Sequence, residues 1–240
     1  MNSKTRFFSL CLTAIAAVAF GQTTIAPRAA VLIEAARVAH GKTALGSLRG
    51  VTATLELTLY NNGTAMQSQT QTLLVDVIGN RARTDVTVGT KRILSLVVDG
   101  SGARNWTPQS GISTLNAATV EGLKQQLISS FPIFALAIPW SGATTDGAAT
   151  WQGVAGEAIT ATRAGINLGL LFGTNGLLVA ERLAGPRGDI FALLEDVRTV
   201  SGLQVPYKVR LFQAGVLTSQ AVLMSVSINP SFVAADFTLP

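Results

Sequence analysis

The chain has few of the side chains that perform catalysis or bind metal ions. Its 240 residues include one cysteine, Cys11, and one histidine, His40. A transition-metal site needs several nitrogen or sulfur ligands, and a single cysteine and a single histidine are too few to provide them. No serine stands in a Gly-x-Ser-x-Gly sequence, the commonest hydrolase signature. His40 lies at the end of a predicted helix, where a cation interacts favourably with the helix dipole, so we expect a structural role for it. The sequence therefore predicts a protein that is not an enzyme and uses no cofactor.

Charged residues of both signs are also scarce, at 13% of the chain. The high pI of about 9.9 reflects this scarcity rather than a basic patch. Lysine and arginine form no run, and aromatic residues do not alternate with them, so no nucleic-acid partner is expected. After Gln22 no apolar stretch is long enough to span a membrane. The mean hydropathy of +0.41 is nevertheless high, so the excess apolar side chains should line something inside the protein.

The N-terminus is typical of an export signal. Two basic residues, Lys4 and Arg6, precede an uncharged apolar run over residues 7–20, and small residues stand at Ala19 and Gly21. We predict a signal peptide over residues 1–21, cleaved before Gln22. The run is short for a membrane anchor, which is the alternative.

Cleavage would leave one domain, residues 22–240, in the periplasm or outside the cell. Cys11 lies within the apolar run rather than after it, so a lipoprotein is not expected, and the mature chain would contain no thiol. Loss of Lys4 and Arg6 would leave 16 of the 18 basic residues against 13 acidic ones, a net charge of +3. A chain of this length can build a sufficient core without disulfides, and we expect a monomer.

Strand signals dominate the mature chain. Apolar residues alternate with polar ones from Val51 to Tyr60, and Asn61-Asn62-Gly63 then forms a turn. Four further alternating runs fill residues 166–240, one of them carrying Leu177, Val179, Glu181 and Leu183. Period-two alternation indicates antiparallel strands with one dry and one wetted face.

Two segments have helical spacing instead. The first begins at Pro27 and ends at Gly41. The second has Asn116 as its N-cap, is interrupted by Pro132 and continues as a short apolar piece to Trp140. We interpret the second segment as a lid over the sheet. Residues 141–147 are interpreted as a small polar loop.

These signals predict an α+β fold in which an open antiparallel half-barrel of about 10–11 strands has a few helices covering its concave face. The large aromatic residues could be ordinary core or could line a ligand cavity, and both interpretations stay open. The predicted cavity-lining residues are Leu55, Leu57, Trp106, Leu127, Phe131, Phe134, Leu136, Trp140, Trp151 and Phe172.

Short sequence signatures add a family resemblance. Ala39-His40-Gly41 ends the first helix, residues 202–207 read Gly-Leu-Gln-Val-Pro-Tyr, and the chain closes on Asn229-Pro230 and Phe237-Thr238-Leu239-Pro240. Together they resemble the LolA/LolB-like superfamily of periplasmic lipoprotein-sorting and lipid-carrier proteins. The resemblance implies an apolar cavity for acyl chains beneath a helical lid. No position matches the lid-locking arginine of the lipoprotein carriers, so the resemblance does not imply their cargo.

Two functions are therefore expected from the sequence. The first is a non-enzymatic carrier or sensor that binds a lipid or lipoprotein acyl chain between the sheet and residues 131–140, with membrane-associated donor and acceptor proteins as possible partners. The alternative is a structural or protein-interaction module of the cell envelope, whose hollow is filled by its own side chains.

Overall fold

A computed structural model describes residues 24–116, 133–163, 166–185 and 188–240. The predicted signal peptide lies outside these ranges, as does most of the predicted helix after Asn116. Two of the predicted cavity residues, Leu127 and Phe131, also lie outside them.

Three helices lie within the described residues. They are α1 (Pro27–Ala39), α2 (Lys42–Gly46) and α3 (Ile133–Ala137). The predicted first helix is confirmed, with Pro27 as its first residue. Gly41 follows it in the left-handed region, with φ +88°, which ends α1 and lets α2 begin at Lys42.

The strands form one antiparallel sheet. Their bounds are β1 (Gly50–Asn61), β2 (Thr64–Asp76), β3 (Arg81–Val88), β4 (Lys91–Asp99), β5 (Gly102–Thr107), β6 (Gly111–Thr114), β7 (Gly142–Trp151), β8 (Val154–Arg163), β9 (Ile166–Phe172), β10 (Leu178–Leu183), β11 (Ile190–Val200), β12 (Leu203–Gln213) and β13 (Val216–Ile228). A 3-10 turn, Ala234–Phe237, follows the last strand. The predicted turn after β1 is confirmed, since Asn62 and Gly63 both have positive φ.

The strand order makes the sheet two meanders, a first of β1–β6 and a second of β7–β13, joined at one seam. From one edge to the other it reads β6-β5-β4-β3-β2-β1-β13-β12-β11-β10-β9-β8-β7. Strand β1 pairs with β13, so the first and last strands lie at the centre. Strands β6 and β7 form opposite edges, and the sheet is open. The chain between them, which includes α3, therefore links one edge of the sheet to the other.

The two faces of the sheet differ in what covers them. The helices pack on one face, called here the helix-side face, in a core with Val51, Leu73, Leu170 and Val205. The opposite face, called the outer face, carries a smaller cluster around Trp151. Strand register assigns the remaining side chains to a face, because residues paired across antiparallel strands point the same way.

Three details of the predicted fold need correction. The sheet has 13 strands instead of 10–11, and the described residues are mostly β, so the α+β label holds only in the coarse sense. Residues 141–147 are not a loop, because Gly142 begins β7, which pairs with β8. This strand lacks apolar alternation because it is an edge strand whose Thr144, Thr145 and Asp146 are exposed. Helix α2 was not expected from the sequence.

Candidate functional site

The short helix α3 is the most deeply buried helix of the described chain. Phe134 has no exposed surface, Ile133 and Leu136 are 1% and 2% exposed, and Ala135 is also buried. These side chains belong to the same core cluster as Leu168, Leu170 and Phe172 of β9. Helix α3 is therefore an integral part of the helix-side core.

Arg163 connects the sheet to this helix. It is the last residue of β8, on the helix-side face, and its Nη2 atom donates hydrogen bonds to the carbonyl oxygens of Ile138 at 2.8 Å and Ala135 at 3.4 Å. Its guanidinium carbon also lies 4.0 Å from the centroid of the Trp140 ring. One side chain thus caps the C-terminal end of α3, where carbonyl groups lack partners within the helix.

Glu181 is a carboxyl group buried on the same face. It lies on β10 between Leu170 of β9 and Ala192 of β11, and it is 7% exposed. Desolvation raises the pKa of Glu181 to about 8, an effect only partly opposed by the positive charge of Arg163. The same burial lowers the pKa of Arg163 to about 10. At neutral pH the arginine is charged and the glutamate is largely protonated.

Three buried polar atoms in this region have no hydrogen-bond partner among the described residues. They are Nε1 of Trp140, Nε of Arg163 and Oε1 of Glu181. A buried polar group without a partner costs about 1–3 kcal/mol, so such atoms are uncommon in folded proteins. Arg163 and Trp140 lie at the C-terminal end of α3, and Glu181 is near enough to Arg163 for their charges to interact, so the three groups mark a polar site within an apolar core.

The structure brings four of the predicted cavity residues together. Phe134, Leu136, Trp140 and Phe172 all belong to the helix-side core, Trp140 as a half-buried residue at its border. Leu55 and Leu57 lie on the same face in β1, because they share the alternation of Val51 and Ala53, and both are half-buried.

Two of the predicted residues lie on the outer face instead. Trp151 packs there with Leu171, Leu193 and Phe191, its ring centroid 5.8 Å from that of Phe191. Trp106 pairs with Ser95, whose neighbour in sequence, Leu96, contacts the helix-side core, so Trp106 points away from the helices. Neither tryptophan lies between the sheet and α3.

His40 has a structural position, but the reason expected from the sequence is wrong. It is 3% exposed, and its Nδ1 atom lies 3.0 Å from the carbonyl oxygen of Ala36. Burial lowers the pKa of His40, although the hydrogen bond to Ala36 partly opposes this effect. A neutral imidazole that donates to its own helix is therefore favoured over a cation at the helix end.

Two other features are absent from the described ranges. Within them, no group of three or more histidine, cysteine, aspartate and glutamate side chains is arranged to hold a metal ion. No helix within the same ranges is long and apolar enough to cross a membrane.

Sequence reasoning missed both charged residues of the site. The sequence did offer a sign that Glu181 is unusual, because this charged residue occupies an apolar position in the alternating run from Leu177 to Leu183. A register shift before Ala180 then places Glu181 on the helix-side face with Leu170. Arg163 lies on the same face as Ile159 and Ala161, as the last residue of β8. Its contacts with α3 join residues far apart in sequence, which spacing does not reveal.

Known proteins resemble this chain in fold and not in sequence. No family model and no curated protein matches it. Among solved structures, it superimposes on a LolA superfamily protein from Nitrosomonas europaea with a TM-score of 0.59 and 10% identity, covering 88% of this chain and 97% of that one. A domain from Vibrio parahaemolyticus named for outer membrane lipoprotein sorting gives a TM-score of 0.57 at 10% identity, covering 85% and 95%.

A third structure extends the same likeness. A DUF1329 family protein from Desulfovibrio piger superimposes with a TM-score of 0.59 and 6% identity, covering 87% of this chain and 96% of that one. The open antiparallel sheet with helices on one face is thus shared over nearly the full length of all three proteins. The chain has a LolA/LolB-like fold.

Proposed function

We propose that this protein is an exported, non-enzymatic carrier or sensor that binds the acyl chain of a lipid or lipoprotein between the sheet and the segment containing α3. The observation that carries the proposal is the apolar surface left on the helix-side face beyond α3. Leu55, Leu57 and Leu59 continue this face along β1 and are only half-buried. The LolA/LolB-like fold and the apolar N-terminal run after Lys4 and Arg6 also support it.

The energy of such binding is sufficient without any catalytic group. Each methylene removed from water contributes about 0.8 kcal/mol, so about 14 methylenes would contribute about 11 kcal/mol. Association and ordering oppose this by about 4–15 kcal/mol. A long acyl chain that reaches the leucines of β1 therefore binds usefully when these costs lie well below about 11 kcal/mol, and a short chain has less burial energy to offset them.

The test is lipid binding by the purified protein and by two matched variants. Native mass spectrometry would detect copurified lipid, and a fluorescent fatty acid would report uptake. Leu57→Gln places a polar amide on the helix-side face and is expected to weaken uptake at least tenfold. Leu74→Gln makes the same change at a half-buried position on the outer face of β2 and should leave uptake unchanged. Recovery of bare protein that takes up no fatty acid would contradict the proposal.

One observation favours the second candidate, a cell-envelope interaction module with a filled core. The four residues 133–136 are all buried, so α3 itself fills part of the face that a ligand would occupy. In a carrier, Leu57→Gln reduces lipid uptake while the protein stays folded. In a module with a filled hollow, the wild type takes up no lipid, and Leu57→Gln only lowers its free energy of unfolding.

A further inference from the structure

The polar site on the helix-side face offers hydrogen-bond donors and few acceptors. Arg163 Nε and Trp140 Nε1 are N–H donors, and both are buried without a partner in the described part of the chain. Arg163 also makes no ion pair with any described residue; its neighbours are two carbonyl groups and an indole ring. A half-buried cation among neutral groups creates a demand for a negatively charged acceptor.

Glu181 does not provide the negatively charged acceptor that Arg163 lacks. It is nine-tenths buried among apolar neighbours, and Leu170 and Ala192 flank it on the adjacent strands. Its carboxyl group has no ion pair with a described residue, and burial raises its pKa to about 8. A protonated carboxyl group is itself a donor, so it adds to the excess of donors around Arg163.

The sheet provides a mainly apolar path that begins at Glu181 and includes one polar residue, Ser219. Register places Ala192, Leu211, Ser219 and Leu59 in one row across β11, β12, β13 and β1 on the helix-side face. Four strand spacings of about 4.8 Å separate Glu181 on β10 from Leu59 on β1, a distance of about 19 Å. A ligand with its head at the polar site could therefore lay a long hydrocarbon tail across the sheet to the half-buried leucines of β1.

We infer that Arg163, Trp140 and Glu181 bind the carboxylate of a free single-chain fatty acid whose tail follows this row. A carboxylate supplies both the negative charge and the acceptors that the three groups lack. Acyl chains linked as esters or amides have no such charge, so the site distinguishes a free fatty acid from an acylated protein. The inference rests on the proposed function and specifies its ligand.

The first experiment compares two ligands with identical tails on the wild-type protein at pH 7. Displacement of a fluorescent alkyl probe gives the affinities for palmitate and for methyl palmitate, and palmitate is expected to bind at least tenfold more tightly. Equal affinities would overturn the carboxylate site and leave the proposed function standing. Binding of neither ligand would contradict the proposed function itself. Tighter binding of phosphatidylglycerol than of palmitate would also overturn the carboxylate assignment.

The second experiment assigns the preference to Arg163. Arg163→Met should abolish the preference for palmitate and leave the affinity for methyl palmitate unchanged. Arg198→Met is the matched control, because Arg198 also stacks on an aromatic ring, that of Tyr207 at 4.2 Å, but is exposed and paired with Asp196. A preference that persists in folded Arg163→Met would contradict the assignment.

A third measurement uses only the wild-type protein, so it tests the inference even if Arg163→Met does not fold. Palmitate labelled with ¹³C at its carboxyl carbon reports its own ionisation through its chemical shift. Bound beside the guanidinium, it should remain a carboxylate at pH values where a fatty acid in a neutral apolar site is protonated. A bound carboxyl signal that is already protonated at pH 7 would overturn the inference.

Discussion

The guanidinium of Arg163 lies 4.0 Å from the centroid of the Trp140 ring and joins the end of β8 to the segment that follows α3. The same side chain donates to the carbonyl oxygens of Ala135 and Ile138. Sheet, helix end and tryptophan are thus held by a single residue. Stacking, hydrogen bonding and charge all change when it is replaced.

We expect Arg163→Met to lower the free energy of unfolding by about 1.5–3 kcal/mol, the range for hydrogen bonds to charged groups. Urea denaturation followed by tryptophan fluorescence would measure it. Methionine retains much of the apolar stem, so the loss reports the polar contacts. Arg198→Met should leave the stability unchanged, and equal losses in both variants would show that Arg163 has no special anchoring role.

Glu181→Gln should make the stability less dependent on pH. The folded-state pKa of Glu181 is raised from 4.5 to about 8, so between these values the native state retains a proton that the unfolded state has lost. The stability associated with the protonated group is fully present below pH 4.5 and is lost as the pH rises through 8, by at most about 1.4 kcal/mol per pH unit. Glutamine resembles the protonated acid and does not titrate.

The advantage of Glu181→Gln over wild type should therefore grow from pH 5 to pH 8. Urea denaturation at intervals across this range measures the difference between the two proteins, which cancels the titration of other groups. A difference that stays constant with pH would mean that Glu181 is ionised in the folded protein.

His40 should have the opposite effect on the acidic side. Because burial lowers its pKa below 6.5, the unfolded state takes up a proton first as the pH falls. The stability associated with neutral His40 is present above pH 6.5 and is lost as the pH drops through the folded-state pKa. Wild type should lose more stability than His40→Gln between pH 7.5 and pH 5. Parallel losses in the two proteins would contradict a buried neutral imidazole.

Gly41→Ala should be strongly destabilising because the new methyl group would clash with a neighbouring atom, in addition to the cost of a positive φ. A Cβ atom at this position would lie 2.0 Å from the carbonyl oxygen of Gly202, and φ is +88°. Gly63 has a similar φ of +79° with no atom within 4 Å of such a Cβ, so Gly63→Ala measures the conformational cost alone, about 1–2 kcal/mol. We expect Gly41→Ala to cost at least about 2 kcal/mol more in thermal or urea unfolding. Similar costs would show that α1 can move away from the turn between β11 and β12.

Local patterns predicted the elements whose surroundings are uniform along their length. Strand β1 and helix α1 have regular apolar periods because each presents one continuous face to the same core. The edge strand β7 was not predicted because few of its residues are apolar, so no apolar-polar alternation is visible in its sequence. The prediction for β10 was incomplete for another reason, because it did not include the register shift in that strand. That shift decides which side chains of β10 face the helices, and it depends on the neighbouring strands.

The sequence by itself determined a chain poor in catalytic groups, rich in period-two alternation and provided with more apolar side chains than a simple core requires. These properties depend on composition and on the geometry of a single strand or helix. Only the tertiary structure decided that Trp106 and Trp151 face away from the helices while Arg163 and Glu181 lie on the helix-side face. Strand order and register set those positions, and they result from packing between segments far apart in the chain.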